Sequence, residues 1–290
     1  MRIKPTSNCI FYLVKPGFDE MRKLETSLAS LKRHLPATLL DADLILGIEG
    51  DAAHYIDLVD QLDLKAKLVE MPVSAELARL DRRLVPEIYP HPNSNIWKQK
   101  ENAEGFSLGY RYMCRLYSGA LYEHPVLAGY EYCLRLDCDS EFTAPTKESL
   151  FSYATERNYE YVTLAGGLQY DHELVTLGLQ ETARRHFKRN GNLINKIRFW
   201  IFVRKDAMFY TNIELGKLSF FRSQAYKGLF DSLDEADGFY RLRWGDAVVK
   251  YIAVRTLLPR RKWGYFWDIS YTHGAAYESV GGSLMKTKIL

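Results

Sequence analysis

The stretch YEYCLRLDCDSEF at residues 130–142 decides the fold, because an apolar run ends there in two carboxylates. The run YEYCLRL predicts a buried β-strand, and Asp137 and Asp139 follow it directly. Side chains at positions i and i+2 of an extended chain project from the same face, so both carboxylates can face one divalent cation or one diphosphate. Ligands of open α/β sheets bind at the carboxyl ends of the strands. An isolated Asp-x-Asp is more often a solvated turn, so the assignment depends on the remaining sequence.

The residues before this strand predict a parallel sheet. The apolar run CIFYLV at 9–14 precedes an amphipathic helix over about 19–34, which leads to a second apolar run, DLILGIEGD, at 43–51. Strand, helix and strand in this order form a βαβ unit, whose two strands are parallel and whose crossover is right-handed. A further short strand is predicted at 67–72.

The rest of the chain continues the α/β pattern. A long helix is predicted from Trp97 or Lys98 to about Ala120, and after Asp139 we predict a strand, a polar helix and a Gly/Asn-rich turn, at 159–167, about 171–190 and 190–192. The last third predicts strand, helix, helix and strand at 212–222, 223–236, 244–258 and 262–273. Repeats, low-complexity segments and linkers are absent from the sequence, so we expect one domain over residues 1–290.

Composition narrows the class of partner. The chain has 290 residues, 47% of them hydrophobic, which suffices for a large core. A net charge of +3 is too small for nucleic acid to be the main partner, since that binding needs a concentrated basic face. Basic clusters occur at 184–189 and 260–262, and such clusters are usually solvated.

Localisation is predicted from the apolar windows and the cysteines. The apolar part of the N-terminus ends at Val14 and is too short for a membrane span or a signal sequence, and no other window is long enough. We interpret the four cysteines as reduced thiols. The expected protein is therefore cytoplasmic, with a possible peripheral contact to anionic lipid at the inner membrane face through the cluster at 260–262.

Five runs of the sequence, in order, resemble glycosyltransferase family 15, the fungal-type α-1,2-mannosyltransferases. The resemblance covers most of the chain and is weakest at about 73–96 and 168–205. The five runs are YRYMCRLYSGALYEHPVL (110–127), YEYCLRLDCDSEF (130–142), NIELGKLSFFRSQAY (212–226), FYRLRWGDA (239–247) and FWDISYTH (266–273).

The resemblance implies a single α/β domain of GT-A type, with a Rossmann-like, mostly parallel mixed sheet flanked by helices. Residues of about 1–145 would form the nucleotide-sugar-binding half, and about 146–290 the acceptor-binding and catalytic half. It further implies transfer of mannose from GDP-mannose to a hydroxyl of a mannoside or glycan acceptor, with a divalent cation such as Mn²⁺ and with retention of configuration. The linkage implied is α-1,2.

The resemblance also implies roles for individual residues. Asp139 and His273 fall on the metal-ligating positions, and Asp137 on the partner position toward the metal or the ribose. Glu214, in NIELG, falls on the glutamate proposed as nucleophile or as stabiliser of the developing cation. Asp246, in RWGDA, falls on an essential acidic position.

Two arginines are further candidates for the site, and three residues depart from the family pattern. Arg115 and Arg135 are candidates for the diphosphate, although an arginine of this kind is more often a structural ion-pair partner. Asp137 and Cys138 stand where the family usually has Glu and Pro, and Gly274 stands where it has Pro. The membrane anchor of the Golgi enzymes is missing from the sequence, which favours the cytoplasmic expectation.

Alternatives remain open at this point. Glu214 could pair with Lys217 or Arg222 instead of acting on the sugar, and Asp246 could be a helix N-cap or a first-turn acid. The protein could be a catalytically silent module that binds a glycan or nucleotide-sugar, or a transferase that uses another donor. A nucleotidyltransferase shares strand-end acids and metal use, but the Gly-rich phosphate loop usual in such enzymes is absent from the sequence.

Overall fold

A computed structural model of the chain describes residues 7–78, 108–165, 168–173, 175–274, 277–280 and 283–286. Its strands are β1 (Asn8–Val14), β2 (Asp43–Ile48), β3 (Ala66–Glu70), β4 (Tyr132–Leu136), β5 (Ser140–Phe142), β6 (Tyr161–Leu164), β7 (Gln169–Tyr170), β8 (Ala207–Met208), β9 (Ile213–Lys217), β10 (Trp263–Phe266), β11 (Tyr271–His273), β12 (Tyr277–Val280) and β13 (Ser283–Lys286).

The described residues also form helices on both sides of these strands. They are α1 (Phe18–His34), α2 (Pro36–Leu40), α3 (Ala53–Gln61), α4 (Val73–Ala78), α5 (Leu108–Ser118), α6 (Leu150–Glu156), α7 (Leu179–Asn190), α8 (Leu193–Phe202), α9 (Leu218–Phe221), α10 (Gln224–Asp234), α11 (Gly238–Leu242) and α12 (Asp246–Leu257).

A seven-stranded sheet in the order β10-β6-β9-β4-β1-β2-β3 forms the centre of the fold. Strand β9 runs antiparallel to both of its neighbours, β4 and β6, and the other adjacent pairs are parallel. The βαβ unit β1-α1-β2 is present, so the predicted α/β class with a mostly parallel mixed sheet is confirmed.

Both faces of this sheet are covered, which explains the apolar runs in its strands. In β1 the alternate residues Cys9 and Phe11 enter the core on one face, and Ile10 and Tyr12 enter the core on the other. All four are fully buried. Helix α1 covers the second face with Leu24, Leu28 and Leu31, which recur at three- and four-residue spacing.

A second, four-stranded sheet in the order β13-β12-β11-β5 is antiparallel and lies beside the acidic pair. Strand β5 begins one residue after Asp139, and β11 pairs with it so that His273 stands opposite Ser140. The Ser140 and Tyr271 hydroxyls lie 2.7 Å apart inside this pairing. The pairing therefore brings a residue of the last third of the chain next to the acids that follow β4.

Several sequence predictions differ from the structure. The helix predicted over about 171–190 begins only at Leu179, because Gly178 takes a left-handed φ of 76° and residues 169–170 form a short strand with 207–208. The strand predicted at 262–273 is two strands, β10 and β11, in different sheets. Helix α8, at Leu193–Phe202, was not predicted.

The long helix predicted before the acidic strand lies partly outside the described residues. Its first part, up to residue 107, belongs to that portion, and α5 supplies the described part at Leu108–Ser118. A 3₁₀ turn follows at Ala120–Glu123. No helix within the described ranges is both long and apolar enough to span a membrane.

Candidate active site

The carboxyl end of β4 holds a cluster of one imidazole and two carboxylates. Asp137, Asp139 and His273 each offer one ligand atom, and the three atoms lie within 4.8 Å of one another. His273 Nε2 is 2.8 Å from Asp139 Oδ1 and 3.7 Å from Asp137 Oδ2. The three side chains are 19–31% exposed, so a ligand can reach them from solvent.

The local backbone fixes this arrangement. The Ser140 N–H donates to the Asp137 carbonyl at 3.0 Å, which closes the turn between β4 and β5 around Asp139. On the other strand, the Gly274 N–H donates to the Asp139 carbonyl at 3.2 Å. Gly274 has a φ of 54°, and a Cβ there would lie 3.3 Å from Asp139 Oδ2. A glycine therefore suits this position better than any residue with a side chain.

The charges within the cluster shift the pKa values of His273 and Asp137. Burial lowers the pKa of His273, but the hydrogen bonds and charges of Asp137 and Asp139 outweigh burial and raise it to about 9. Burial opposes the ionisation of Asp137, yet the Arg135 guanidinium, His273 and Asn212 together hold its pKa below the usual value. The Asp137 carboxylate is thus ionised and the His273 imidazole carries a proton at neutral pH.

Asn212, which sequence reasoning missed, also belongs to this cluster. Its Nδ2 donates to Asp137 Oδ2 at 2.6 Å and lies 2.8 Å from His273 Nε2. It precedes β9 by one residue and Glu214 by two, so the spacing that pairs side chains on one face of a strand was a signal for it.

Arg135 joins the cluster to the two remaining acids. Its Nη2 lies 3.1 Å from Asp137 Oδ1, and its Nη1 pairs with Asp246 Oδ2 and lies 3.7 Å from Glu214 Oε1. The guanidinium is buried, with Cζ 3.6 Å from the centre of the Tyr117 ring. Arg135 therefore lies beside three carboxylates at once, in a stacked geometry that a lysine could not reproduce.

Glu214 lies behind Arg135, on the antiparallel strand β9, where it is only 2% exposed. Its Oε1 accepts from Lys250 Nζ at 2.6 Å, and its Oε2 accepts from the Tyr161 hydroxyl at 2.8 Å. Burial lowers the pKa of Lys250, although Glu214 and Asp246 oppose the shift. Lys217, one of the two partners considered for Glu214 from the sequence, pairs instead with Glu131 at 3.0 Å.

Asp246 is the first residue of α12, which makes it a first-turn acid at the positive end of that helix. Its side chain is 6% exposed and pairs with Arg135. Lys250 lies four residues later, on the same face of the helix. That spacing was the signal in the sequence for Lys250, whereas nothing in the pattern pointed to Tyr161.

The side chain of Arg115 contacts acids other than those around Arg135. Its Nε and Nη2 each donate at 2.6 Å to a carboxylate oxygen of Asp234, at the end of α10. Glu76 lies 4.0 Å away. Of the seven predicted site residues, Asp137, Asp139, His273, Arg135, Glu214 and Asp246 thus form one connected network, and the hydrogen bonds of Arg115 lead elsewhere.

The donor set fits a hard or borderline divalent cation. Carboxylate oxygens with one imidazole nitrogen suit Mn²⁺ better than Ca²⁺, which prefers oxygen ligands throughout. Two ligands of one such ion are separated by at most about twice the metal–ligand bond length, which is about 2.0–2.6 Å over Mg²⁺ and Ca²⁺. The three ligand atoms lie within 4.8 Å of one another, a separation of that order.

Curated relatives of the chain are fungal mannosyltransferases. The chain is 34% identical over 176 residues to "Probable mannosyltransferase KTR3" of Saccharomyces cerevisiae, which covers 58% of this chain and 43% of the relative. It is 32% identical over 183 residues to "Glycolipid 2-alpha-mannosyltransferase 1" of Candida albicans, which covers 61% and 42%. The matched region thus spans less than half the length of these relatives.

Two solved structures share the fold. The core-mannan synthase A of Aspergillus fumigatus, in an Mn/GDP form, superimposes with a TM-score of 0.76 at 22% identity, over 100% of this chain and 81% of that one. The mannosyltransferase Ktr4p of S. cerevisiae, in complex with GDP, superimposes with a TM-score of 0.77 at 19% identity, over 96% and 73%. At these identities the likeness shows the fold.

A match to a family model shows which family the chain belongs to. The model described as glycolipid 2-alpha-mannosyltransferase matches residues 92–288, which include Asp137, Asp139, Glu214, Asp246 and His273. The match extends over more than half of the chain and agrees with the resemblance seen in the five sequence runs. The chain therefore belongs to the glycolipid 2-alpha-mannosyltransferase family, glycosyltransferase family 15.

Proposed function

We propose that the protein is a metal-dependent retaining mannosyltransferase that transfers mannose from GDP-mannose to a hydroxyl of a mannoside or glycan acceptor, through an α-1,2 linkage. One observation carries the proposal: the network of Asp137, Asp139, His273, Arg135, Glu214 and Asp246 at the carboxyl end of β4. The family match and the mannosyltransferase names of the relatives support the same chemistry.

Asp139 and His273, with help from Asp137, would hold the divalent cation. A cation there neutralises the charge of a diphosphate leaving group without a proton transfer. The Mn/GDP form of the core-mannan synthase supports Mn²⁺ and a guanosine nucleotide. Arg135 would act within the site by fixing Asp137 and Asp246, and any contact it makes with the diphosphate would come from the same guanidinium.

Glu214 would stabilise positive charge that develops at the anomeric carbon. Both of its oxygens accept short hydrogen bonds, from Lys250 and Tyr161, and the side chain is 3% exposed, so the geometry supports this role over direct attack on the sugar. Asp246 pairs with Arg135, which also contacts Asp137 of the metal cluster. It would orient a hydroxyl of the mannose or of the acceptor. For Arg115, the two-pronged pair with Asp234 supports a structural role.

We also propose that the two halves of the chain bind different substrates. Residues of about 1–145 would bind the nucleotide-sugar, since they supply β4 and the acids that follow it. Residues of about 146–290 would bind the acceptor and supply Glu214 and Asp246. All four cysteines are buried free thiols, which supports a reducing compartment such as the cytoplasm.

A catalytically silent binding module is the second candidate, and one observation favours it. Because Glu214 is deeply buried, the carboxylates of the network that a sugar can reach are those of Asp137 and Asp139 and the small exposed part of Asp246. Such a module would bind GDP-mannose without turnover.

Incubation of the protein with GDP-mannose, Mn²⁺ and methyl α-mannoside separates these candidates. A transferase forms a disaccharide and free GDP in equal amounts, and NMR of the product shows an α-linked mannose at the 2-hydroxyl. Binding of GDP-mannose with neither product would favour the silent module. Turnover only with another nucleotide-sugar would replace the donor, and a β-linked first product would contradict the retaining mechanism.

A further inference from the structure

Helix α8 turns its apolar face toward solvent. Its exposed apolar residues include Leu193, Ile194, Ile197, Trp200 and Ile201, with exposures of 72%, 58%, 47%, 85% and 54%. They follow the i, i+1, i+4, i+7, i+8 spacing that normally marks the buried side of an amphipathic helix. A contiguous outward face of this kind in a soluble domain marks an interaction surface.

This orientation is held by specific contacts on the inner side of the helix. Phe199 is buried and packs on Phe187 of α7, with ring centres 5.5 Å apart. Arg198 Nη1 donates to the Leu257 carbonyl at 3.4 Å, and the Tyr251 hydroxyl donates to the Phe202 carbonyl at 2.9 Å. The apolar face is thus presented outward by a helix fixed to α7 and α12.

Positive charge surrounds the apolar face. Arg184, Arg185, Lys188 and Arg189 are exposed on the neighbouring helix α7, and Lys196, Arg204 and Lys205 are exposed on α8 or just after it. Against them, Glu181 is the exposed acid of residues 179–206, and it pairs with Arg184 at 2.7 Å. A cleft of about 650 Å³ between the two helices has Phe187, Phe199 and Val203 among its lining residues, together with several of these cations.

We propose that α8 and the basic side of α7 bind the surface of a bilayer that contains anionic lipids. A helix with aliphatic and tryptophan side chains on one side and lysine and arginine at its edges lies in the plane of the interface, with the apolar side chains among the upper acyl chains. The basic residues gain attraction to anionic headgroups, and the cleft offers an apolar floor and a basic rim to a lipid headgroup.

A second copy of the chain fits this face less well. A two-fold interface places the same patch of both copies in contact, so the arginines and lysines of one α7 would meet those of the other. Like charges brought together in this way oppose association. An anionic lipid surface provides the complementary charge.

The basic edge continues to the cluster at 260–262. The Arg255 guanidinium lies 5.3 Å from the Phe202 ring centre and 5.2 Å from the Trp263 ring centre, and Arg260 lies 4.3 Å from the latter. The cations at the carboxyl end of α8 and the cluster proposed from the sequence therefore adjoin one another. The proposed membrane-facing side therefore extends to this cluster.

Helix α8 contacts the middle and the carboxyl end of α12, whereas the candidate active site lies at the amino end of α12. The contacts are made through Tyr251 and Leu257, and Asp246 is the first residue of α12. Tyr251 and Leu257 follow Asp246 by five and eleven residues, which is about 7.5 Å and about 16.5 Å along the helix at 1.5 Å per residue.

Vesicle flotation tests the proposal without donor or acceptor, so its outcome is independent of the proposed activity. The full chain is mixed with vesicles of phosphatidylcholine alone or of phosphatidylcholine with phosphatidylserine. We expect flotation with the anionic vesicles, loss of binding at high salt, and a blue shift of tryptophan emission on binding that is reduced in Trp200→Phe. Trp200→Asp should weaken binding by about tenfold or more, since it removes an exposed aromatic side chain that the bilayer would bury.

Further variants test the basic residues of α7 and provide a control outside the proposed surface. Arg184→Glu with Lys188→Glu should also weaken binding by about tenfold or more. Leu40→Asp, at a site that is 81% exposed on α2, should leave binding within about twofold. Circular dichroism of each variant establishes that it is folded.

Three results would overturn the proposal. The wild-type protein could stay unbound with anionic vesicles, or bind neutral vesicles equally well, or Trp200→Asp could float like the wild type while folded. Self-association that sedimentation velocity detects, that Trp200→Asp abolishes, and that occurs without vesicle binding would assign the face to a second copy instead.

Discussion

Glu214 Oε1 and Lys250 Nζ lie 2.6 Å apart in the interior of the protein, and neither side chain is more than 3% exposed. Glu214 belongs to the antiparallel strand β9, and Lys250 belongs to α12, which begins at Asp246. The pair therefore connects the strand that carries one candidate catalytic acid to the helix that carries the other. Tyr122, whose hydroxyl accepts from Lys250 at 2.6 Å, completes the surroundings of the ammonium group.

Substitution of Lys250 should destabilise the fold. Lys250→Met leaves the buried Glu214 carboxylate without its closest cation, and loss of one partner of a buried pair costs about 3–5 kcal/mol of the free energy of unfolding. Urea denaturation measures this change. Lys227→Met is the matched control, since Lys227 pairs with Glu123 at 2.9 Å at the surface, where a pair contributes about 0–1 kcal/mol.

A double variant measures the interaction energy between Glu214 and Lys250. Glu214→Gln with Lys250→Met removes both charges, so it should be less destabilised than the sum of the two single variants. Additive effects would contradict a direct coupling between the two side chains.

Glu214 should matter for turnover much more than for nucleotide binding. In the proposed role it acts at the anomeric carbon, whereas the metal cluster acts at the phosphates. Glu214→Gln should keep GDP affinity within a few-fold and lower kcat by about two orders of magnitude or more, the scale lost with a charge-stabilising group. Calorimetry with GDP and initial rates with GDP-mannose measure the two quantities. An equal fall in both would make Glu214 a structural or nucleotide contact.

Metal binding should release a proton from His273. Its pKa of about 9 means that the imidazole is protonated at neutral pH, and a ligand nitrogen must be neutral. Mn²⁺ affinity should therefore rise from about pH 7 toward pH 9, and titration calorimetry in buffers of different ionisation enthalpy should report about one proton released. Affinity that is unchanged by pH, with no proton released, would exclude His273 as a ligand.

The same pKa has a consequence for the metal-free protein. The folded value lies above the usual 6.5 of an unfolded histidine, so the stabilisation from the His273 charge is fully present below about pH 6.5. It is lost as pH rises through about 9. His273→Gln should flatten the decline in stability over this window.

Arg115 should affect stability more than nucleotide affinity. Its guanidinium is committed to Asp234 through two hydrogen bonds, so Arg115→Met should resemble Asp234→Asn in urea denaturation and keep GDP affinity within about twofold. Arg135→Met is the contrast, because Arg135 pairs directly with Asp137 and Asp246. A large, selective loss of GDP affinity in Arg115→Met would restore its role at the diphosphate.

The acidic strand could be predicted from the sequence because its signal is local. The apolar run before Asp137 has a length and a composition typical of a strand buried on both faces, and all five residues of β4 are buried. The relation of His273 to Asp139 depends instead on the pairing of β5 with β11, which are separated by more than a hundred residues. Only the family resemblance provided that relation.

Other features could not be predicted because competing contacts decide them. The apolar spacing of NIELG is the same in a parallel and in an antiparallel strand, so the insertion of β9 between β4 and β6 was not visible. The role of Arg135 depends on Asp246, 111 positions away in sequence. Helix α8 has an apolar face that points to solvent, so the usual assumption that such a face is buried does not apply to it.

Mannose transfer from GDP-mannose, measured in EDTA and after addition of Mn²⁺ for the wild type and for Asp139→Ala, tests the proposed metal centre and its role in catalysis. We predict no transfer by the wild type in EDTA, recovery with Mn²⁺, and no recovery in a folded Asp139→Ala, because that variant lacks the carboxylate 2.8 Å from His273 Nε2. Full transfer by Asp139→Ala in EDTA would contradict the metal centre and the function built on it.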